Sequence, residues 1–503
     1  MTADRRRAFA PPLAILFVAG GCALLAACAG PGVPRTDERL AGCEALFAEV
    51  DAAVARAGVA DAMTARIPDF PYLRADRLLA SFRRDAAGDA ATAFWVDRLA
   101  ELDADARAVE IGNLPPPARA ALEAATAQPD GGLVAATTRC RDELVAADLA
   151  APARVARLRE VAVVPDDYRL ARRIAGLYPF TRIPFAAGVR AFERETAAVF
   201  ALPLDSLPVA GALQRFAPPP GPLPGRAAQA RLLRDAAANP LGIPSPDAAT
   251  LRRLALAHAP VLEIDVAGDD DRLGAPAWPA DGAATVDPAQ PTLYYRAAQT
   301  RVGERVLLQL VYTAWFPARP AAGSLDLLAG RLDGLLWRVT LAEDGEPLVF
   351  DSIHACGCYH FFFPTDRVRP RPAPDTFDEW RFVPQALPRQ AEDERVVLRI
   401  AARTHYLQRV RYEPRTPSSL PPYALQPDDM LRRLPVAEGG SRSLYGPDGF
   451  VAGSERGERF VFWPMGIANP GAMRQWGRHA TAFVGRRHFD DPRLIDERFE
   501  AAD

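Results

Sequence analysis

Leu293-Tyr294-Tyr295-Arg296, a turn holding Val302-Gly303, and Val306-Leu307-Leu308-Gln309-Leu310-Val311-Tyr312 read together as two strands of one hairpin. Runs of β-branched and aromatic residues bounded by a turn are the signature of paired strands. A second pair follows. Leu335 to Leu341 and Leu348 to Ile353 flank Asp344-Gly345, a tight-turn dipeptide. Arg395 to Ala402 alternates Val396, Leu398 and Ile400 with more polar or small neighbours. Phe460 to Trp463 reads as another short strand. Strands at this spacing predict a β-sandwich-like layer over residues 251–503. Near its end, Asn469-Pro470 has the form of an N-cap followed by N1. It predicts a C-terminal helix with Met473, Trp476, Ala480 and Phe483 on one side.

Upstream the pattern changes from period 2 to period 3.6. Residues 37–215 read as helices, with Leu46, Phe47, Val50 and Val54 on one face and Phe94, Val96, Leu99 and Leu102 on another. Breaks fall at Pro68 and Pro71, at Pro115-Pro116-Pro117 and at Pro165. Pro165-Asp166-Asp167-Tyr168-Arg169 reads as a helix start, with the aspartates near the positive dipole end. Residues 216–250, with Pro218-Pro219-Pro220, Pro222 and Pro224, read as a stiff linker or strap with room for a short helix near Ala227 to Ala237. The expected class is α+β, a helical N-terminal domain followed by a β-sandwich-like C-terminal domain.

The first residues read as a targeting segment. Arg5, Arg6 and Arg7 precede an apolar run from Ala8 to about Ala27. The run closes with Leu25-Ala26-Ala27-Cys28, which resembles the lipobox of bacterial lipoproteins. That resemblance implies a signal peptide over 1–27, acylation of Cys28 (palmitate among the acyl groups) and a tether over 28–36. The partner would be the lipid bilayer, reached through acylated Cys28. Ala29 is not the aspartate that resembles an inner-membrane retention signal, which implies the outer membrane, with the protein on its periplasmic face. The alternative is an ordinary signal peptide with a chance cysteine. Removing residues 1–27 takes away Asp4 and the three arginines and moves the net charge from −3 to −5. In that oxidising compartment disulfides persist. Cys43 and Cys140 would close a long loop, and their bond would contribute roughly 4 kcal/mol. Two buried free thiols are the alternative.

Composition excludes several activities. All 60 basic side chains are arginine, because the chain has no lysine. A Schiff-base enzyme, a Walker A loop and a kinase-type lysine are therefore ruled out. No GxGxxG follows a strand, so neither a nucleotide nor a dinucleotide is expected. The charge forms no basic stripe, which argues against nucleic acid.

All six histidines lie after residue 250. The densest cluster is His354-Ala355-Cys356-Gly357-Cys358-Tyr359-His360. In a strand, His354, Cys356, Cys358 and His360 would share one face. Thiolates with imidazoles suit zinc or copper. A straight strand spreads these four too far for one ion, so a bend at Gly357 is needed, with His405 as a further ligand. A Cys356–Cys358 disulfide, redox-active or structural, and two free thiols are the alternatives.

Residues from Leu254 to about Val410 distantly resemble the necrosis-inducing-protein-like β-sandwich group, with its vacuolar-sorting-like relatives. The pieces that carry the resemblance are His258-Ala259-Pro260-Val261-Leu262, Leu293-Tyr294-Tyr295-Arg296, Leu310-Val311-Tyr312, Asp333-Gly334-Leu335-Leu336-Trp337-Arg338-Val339-Thr340, Ser352-Ile353-His354 and Thr404-His405. Their order matches over roughly a third of the chain. In that group carboxylates flank the tryptophan, whereas Leu336 and Arg338 stand here. The resemblance therefore implies a sandwich but not the group's acidic metal site, and of that site's surroundings only His354 and His405 match.

Function follows less directly. An outer-membrane lipoprotein with a binding or envelope-maintenance role, and a metal or redox site at 354–360, is the leading expectation. A hydrolase acting on envelope glycan or lipid, or a structural partner-binding lipoprotein, are the alternatives.

Overall fold

The hairpin read from the sequence forms around Gly303, whose φ of 58° suits a two-residue turn. In a computed structural model, which describes residues 37–126, 132–280, 282–415 and 419–502, strands Thr292–Val302 and Arg305–Arg319 pair antiparallel with Val302 opposite Arg305. Strands Gly330–Leu341 and Pro347–His354 add on one side, joined through Gly345 at φ 80°. Phe361–Pro364 closes that edge, and Ala424–Pro427 closes the other in parallel. A four-stranded sheet, in the order Leu407–Pro414, Glu394–Ile400, Val261–Val266, Ala212–Phe216, lies across the core. The protein is α+β, with helices first and sheets after.

Alternation along the strands builds two apolar layers. The cross-strand row Tyr295, Tyr312, Trp337 faces the smaller sheet and packs with Leu262, Ile264, Val396, Leu398 and Ile400. The next row, Tyr294, Leu336 and Ile353, faces the opposite way onto Leu444, Val451, Met473 and Phe489 of the C-terminal segment. Both faces of the large sheet are therefore buried. This is why Val306–Tyr312 reads as a nearly continuous apolar run rather than an alternation. Full burial of each such side chain contributes about 1.5–3 kcal/mol.

The first part of the described chain holds helices Glu38–Ala57, Asp89–Gly112, Pro116–Ala125, Gly132–Leu149 and Pro152–Val161. Asp37 caps the first helix, and Gly58 at φ 67° ends it. A disulfide joins Cys43 and Cys140. The small hairpin of Ala65–Ile67 and Phe70–Ala75 was not legible in the helical pattern. Its Arg74 is buried on Glu110 and Asp103, at 2.7 and 3.1 Å.

Several expected elements take other forms. Residues 460–463 are not a strand; Arg459–Phe462 is a single helical turn. No helix starts at Asn469-Pro470, and residues 469–493 are irregular. Gly471, Gly477 and Gly485 take φ of 85°, 83° and 96°, and a Cβ on Gly477 would stand 2.6 Å from the Met63 carbonyl. Left-handed glycines at this spacing interrupt the helical ladder. Asp167 does not serve a helix start. It is buried and bridges Arg77 and Arg478, at 3.1 and 2.9 Å. Within residues 216–250, helix Arg226–Ala236 places Leu233 in the sandwich core. Helix Tyr178–Ala201, read as part of the helical domain, sends Phe200 into that same core. Among the described residues no helix is long and apolar enough to cross a membrane. The signal segment 1–27, Cys28 and the tether 28–36 lie outside the described residues.

Candidate functional site

The strand Pro347–His354 stops one residue before the cysteines begin. Residues 355–360 form a turn, so the shared strand face expected of His354, Cys356, Cys358 and His360 does not exist. The His354 N–H donates to the Cys358 carbonyl at 2.9 Å, and the Gly357 N–H donates to the His354 carbonyl at 2.7 Å. Gly357 has φ 91°, and a Cβ there would stand 2.5 Å from the Ala480 carbonyl oxygen. Only glycine fits that approach. Tyr359 follows at φ 60°. Arg474 staples the turn to the C-terminal segment. Its backbone N–H donates to the Ala355 carbonyl at 2.9 Å, and its Nε donates to the Cys356 carbonyl at 2.8 Å.

The turn sends the proposed ligands in three directions. His354 and His405 meet at fully buried Asp333, with Nδ1 distances of 3.5 and 2.8 Å. His405 reaches there although its hairpin, Glu394–Ile400 with Leu407–Pro414, belongs to the smaller sheet. Arg456 donates to Asp333 at 3.1 Å, and Asp271 lies 3.4 Å from His405 Nε2. Burial alone would raise Asp333, but Arg456 and the two imidazoles hold it well below the usual carboxylate range. Burial likewise opposes charge on His405, yet Asp271 and Asp333 raise it above its ordinary value. His354 is lowered, because burial outweighs Asp333.

His360 instead donates to Asp351 at 2.9 Å, within a pair that Asp351 makes with Arg338. Burial pushes His360 down to about 3. The five residues expected to share zinc or copper are therefore split among Asp333, Asp351 and the cysteine turn. Among the described residues no group of three or more His, Cys, Asp or Glu is placed to hold a metal ion. Of the imidazoles, His354 and His405 share Asp333, while His360 lies on Asp351. His479 is buried near Phe489 and lowered to about 3 by that burial.

Cys356 and Cys358 are free thiols that share one wall of a cavity of about 450 Å³. The facing wall is one side of helix Tyr178–Ala201, through Phe185, Gly188, Val189 and Phe192. That spacing keeps them on one face. Phe192 packs on Tyr359 and Tyr406 at 5.0 and 5.6 Å, and Phe185 packs on Phe462 at 5.3 Å. These two anchors fix the helix at both ends of the stripe, and Gly188 and Val189 leave the space between. No protein-family model, no curated protein and no solved structure matches the chain. The resemblance to the necrosis-inducing-protein-like group thus stands on its short sequence pieces alone.

Three glutamates and three arginines also line the chamber; Arg487 lies 3.7 Å from Glu379, Arg474 donates to backbone carbonyls, and Arg381 is the third. Burial and the neighbouring Glu379 push Glu193 up to about 7. Burial pushes Glu458 up to about 6 against the pull of Arg456. Glu379 is also raised by burial, although it accepts from the Phe483 and Val484 N–H groups at 2.7 and 2.9 Å. An apolar chamber with carboxyls close to neutrality favours an uncharged occupant. The sequence reading missed these glutamates and the lining helix. The available signal was the stripe Phe185, Val189, Phe192, but helical spacing does not tell which domain a stripe faces.

Proposed function

We propose that this protein is a lipoprotein, anchored in the outer membrane through Cys28 and facing the periplasm, that binds an apolar small molecule of lipid class. The observation that carries the reading is the cavity of about 450 Å³ between the Phe185–Phe192 stripe and the cysteine turn. Its volume falls in the range of small-molecule sites, roughly 300–1,000 Å³. The apolar lining continues to the surface. Ile183 and Val461, each next to a lining residue, are exposed, as is Phe460. An acyl chain leaving a bilayer would meet apolar surface along that path.

Gly188→Trp tests the reading. Gly188 lines the cavity, and a Cβ there meets nothing within 4 Å. The indole would occupy the chamber, while loss of a helical glycine contributes about 0.5 kcal/mol of stability. The probe is N-phenyl-1-naphthylamine fluorescence, with dodecanol as the competitor. Wild type should bind the probe and release it to dodecanol, and Gly188→Trp should weaken binding at least about tenfold with an unchanged melting temperature. No binding by wild type, or equal binding by both proteins, would overturn the proposal.

A further inference from the structure

Among the described residues there are one disulfide and two free thiols, Cys356 and Cys358, which are separated by a single glycine at the wall of a ligand-sized cavity. Cys356 and Cys358 are buried at the edge of the C-terminal core, where they also border the cavity, on a turn whose shape is imposed from outside by the Ala480 carbonyl and by Arg474. We propose that Cys356 and Cys358 form a thiol–disulfide exchange couple whose co-substrate is a low-molecular-weight apolar disulfide held in this cavity. The choice of co-substrate rests on the apolar-ligand reading above. The exchange couple itself rests on the turn.

The two sulfurs are not equivalent. Proximity to Cys358, together with the Arg456 guanidinium, lowers Cys356 against the effect of burial, while the same proximity and burial raise Cys358. Cys356 is assigned the attack and Cys358 the resolution. Cys356 thiolate attacks one sulfur of the bound disulfide. The ligand's S–S bond breaks, a mixed disulfide forms, and the first product leaves as a thiol. Cys358 then attacks the Cys356 sulfur, the mixed disulfide breaks, and the second product thiol departs. Two electrons pass from the dithiol to the ligand. The two protons lost by Cys356 and Cys358 end on the two product thiols, and the protein retains a Cys356–Cys358 bond. The cavity is too small for a disulfide on a folded protein, which sets the substrate class.

The test uses the full chain, reduced and then freed of reductant, with 4,4′-dithiodipyridine as the uncharged disulfide. A Cys356→Ser/Cys358→Ser double variant supplies the background from other thiols. Above that background, native wild type should release two equivalents of thiopyridone per chain and retain no adduct by intact mass. Cys358→Ser should release one equivalent and keep one thiopyridine on Cys356. Thiopyridone release only after denaturation, two retained adducts on native wild type, or stoichiometric zinc or copper on these thiols in the purified protein would each overturn the exchange couple. Probe binding by N-phenyl-1-naphthylamine is measured on the same samples. Its loss with intact dithiol chemistry would overturn only the apolar-ligand reading.

Discussion

Replacing Asp333 by Asn removes one charge from a crowded buried site while keeping its shape. The wild-type carboxylate accepts from Arg456 at 3.1 Å, from His405 at 2.8 Å and from the Gly334 N–H at 3.0 Å, and His354 lies 3.5 Å away. The amide cannot satisfy Arg456 and a protonated His405 together, so at least one buried cation loses its partner. Removing one member of a buried ionic group costs about 3–5 kcal/mol. In a chain of this size the melting temperature should fall on the order of 10 °C. The loss has a pH signature. His405 is raised above 6.5, so its contribution is fully present below that pH and is lost as pH rises through its folded-state value. Asp333 is held far below 3.8, so its contribution is present above about pH 4 and is lost as pH falls through its folded-state value. Asp333→Asn should flatten both limbs. Calorimetry and urea unfolding from pH 3 to 9 measure this. A melting temperature within about 2 °C of wild type, with both limbs intact, would refute the network as a stabilising element. Gly334 also accepts from Ala355, next to Cys356, so the same variant should change the rate at which the cysteine pair reacts.

Three further outcomes are expected. Cys140→Ser, or reduction of the wild type, opens a bridge spanning 97 residues and should cost about 4 kcal/mol, read as an earlier calorimetric transition; an unchanged transition would contradict the bond's role. Cys28→Ser should leave the protein uncleaved or move it to the soluble periplasmic fraction, and a processed variant that still sediments with membranes would contradict the anchor. Apolar probe binding should weaken between pH 6 and pH 8, by about tenfold at most, as Glu193 loses its proton near pH 7; Glu193→Gln should remove most of that slope, and equal slopes would exclude Glu193 as its source.

Local periodicity was enough to place the main strands. Turn dipeptides such as Val302-Gly303 and Asp344-Gly345 act through residues a few positions apart, so their hairpins were legible. Cys43 and Cys140 were legible too, because the chain has few cysteines and these two fall within one expected domain. The C-terminal helix was misread because the stripe Met473, Trp476, Ala480, Phe483 matches helical spacing equally well when irregular chain packs on a sheet. Only the left-handed glycines, held against the Met63 carbonyl and the Glu458 and Asp378 side chains, exclude the helix.

The site divides along the same line. Sequence by itself determined the fold class, the main hairpins of the large sheet, the disulfide and the concentration of reactive side chains between His354 and His360. Each of these depends on nearest neighbours along the chain or on composition. Tertiary structure decided which way those side chains point. The Ala480 carbonyl presses on Gly357, Asp333 collects His354 with a histidine from the other sheet, and Asp351 takes His360. It also brought helix Tyr178–Ala201 across from the helical region to enclose the thiols. A buried carboxylate selects its partners by proximity in space, and a cavity exists only where separate elements fail to fill the volume between them, so neither is written in any local pattern.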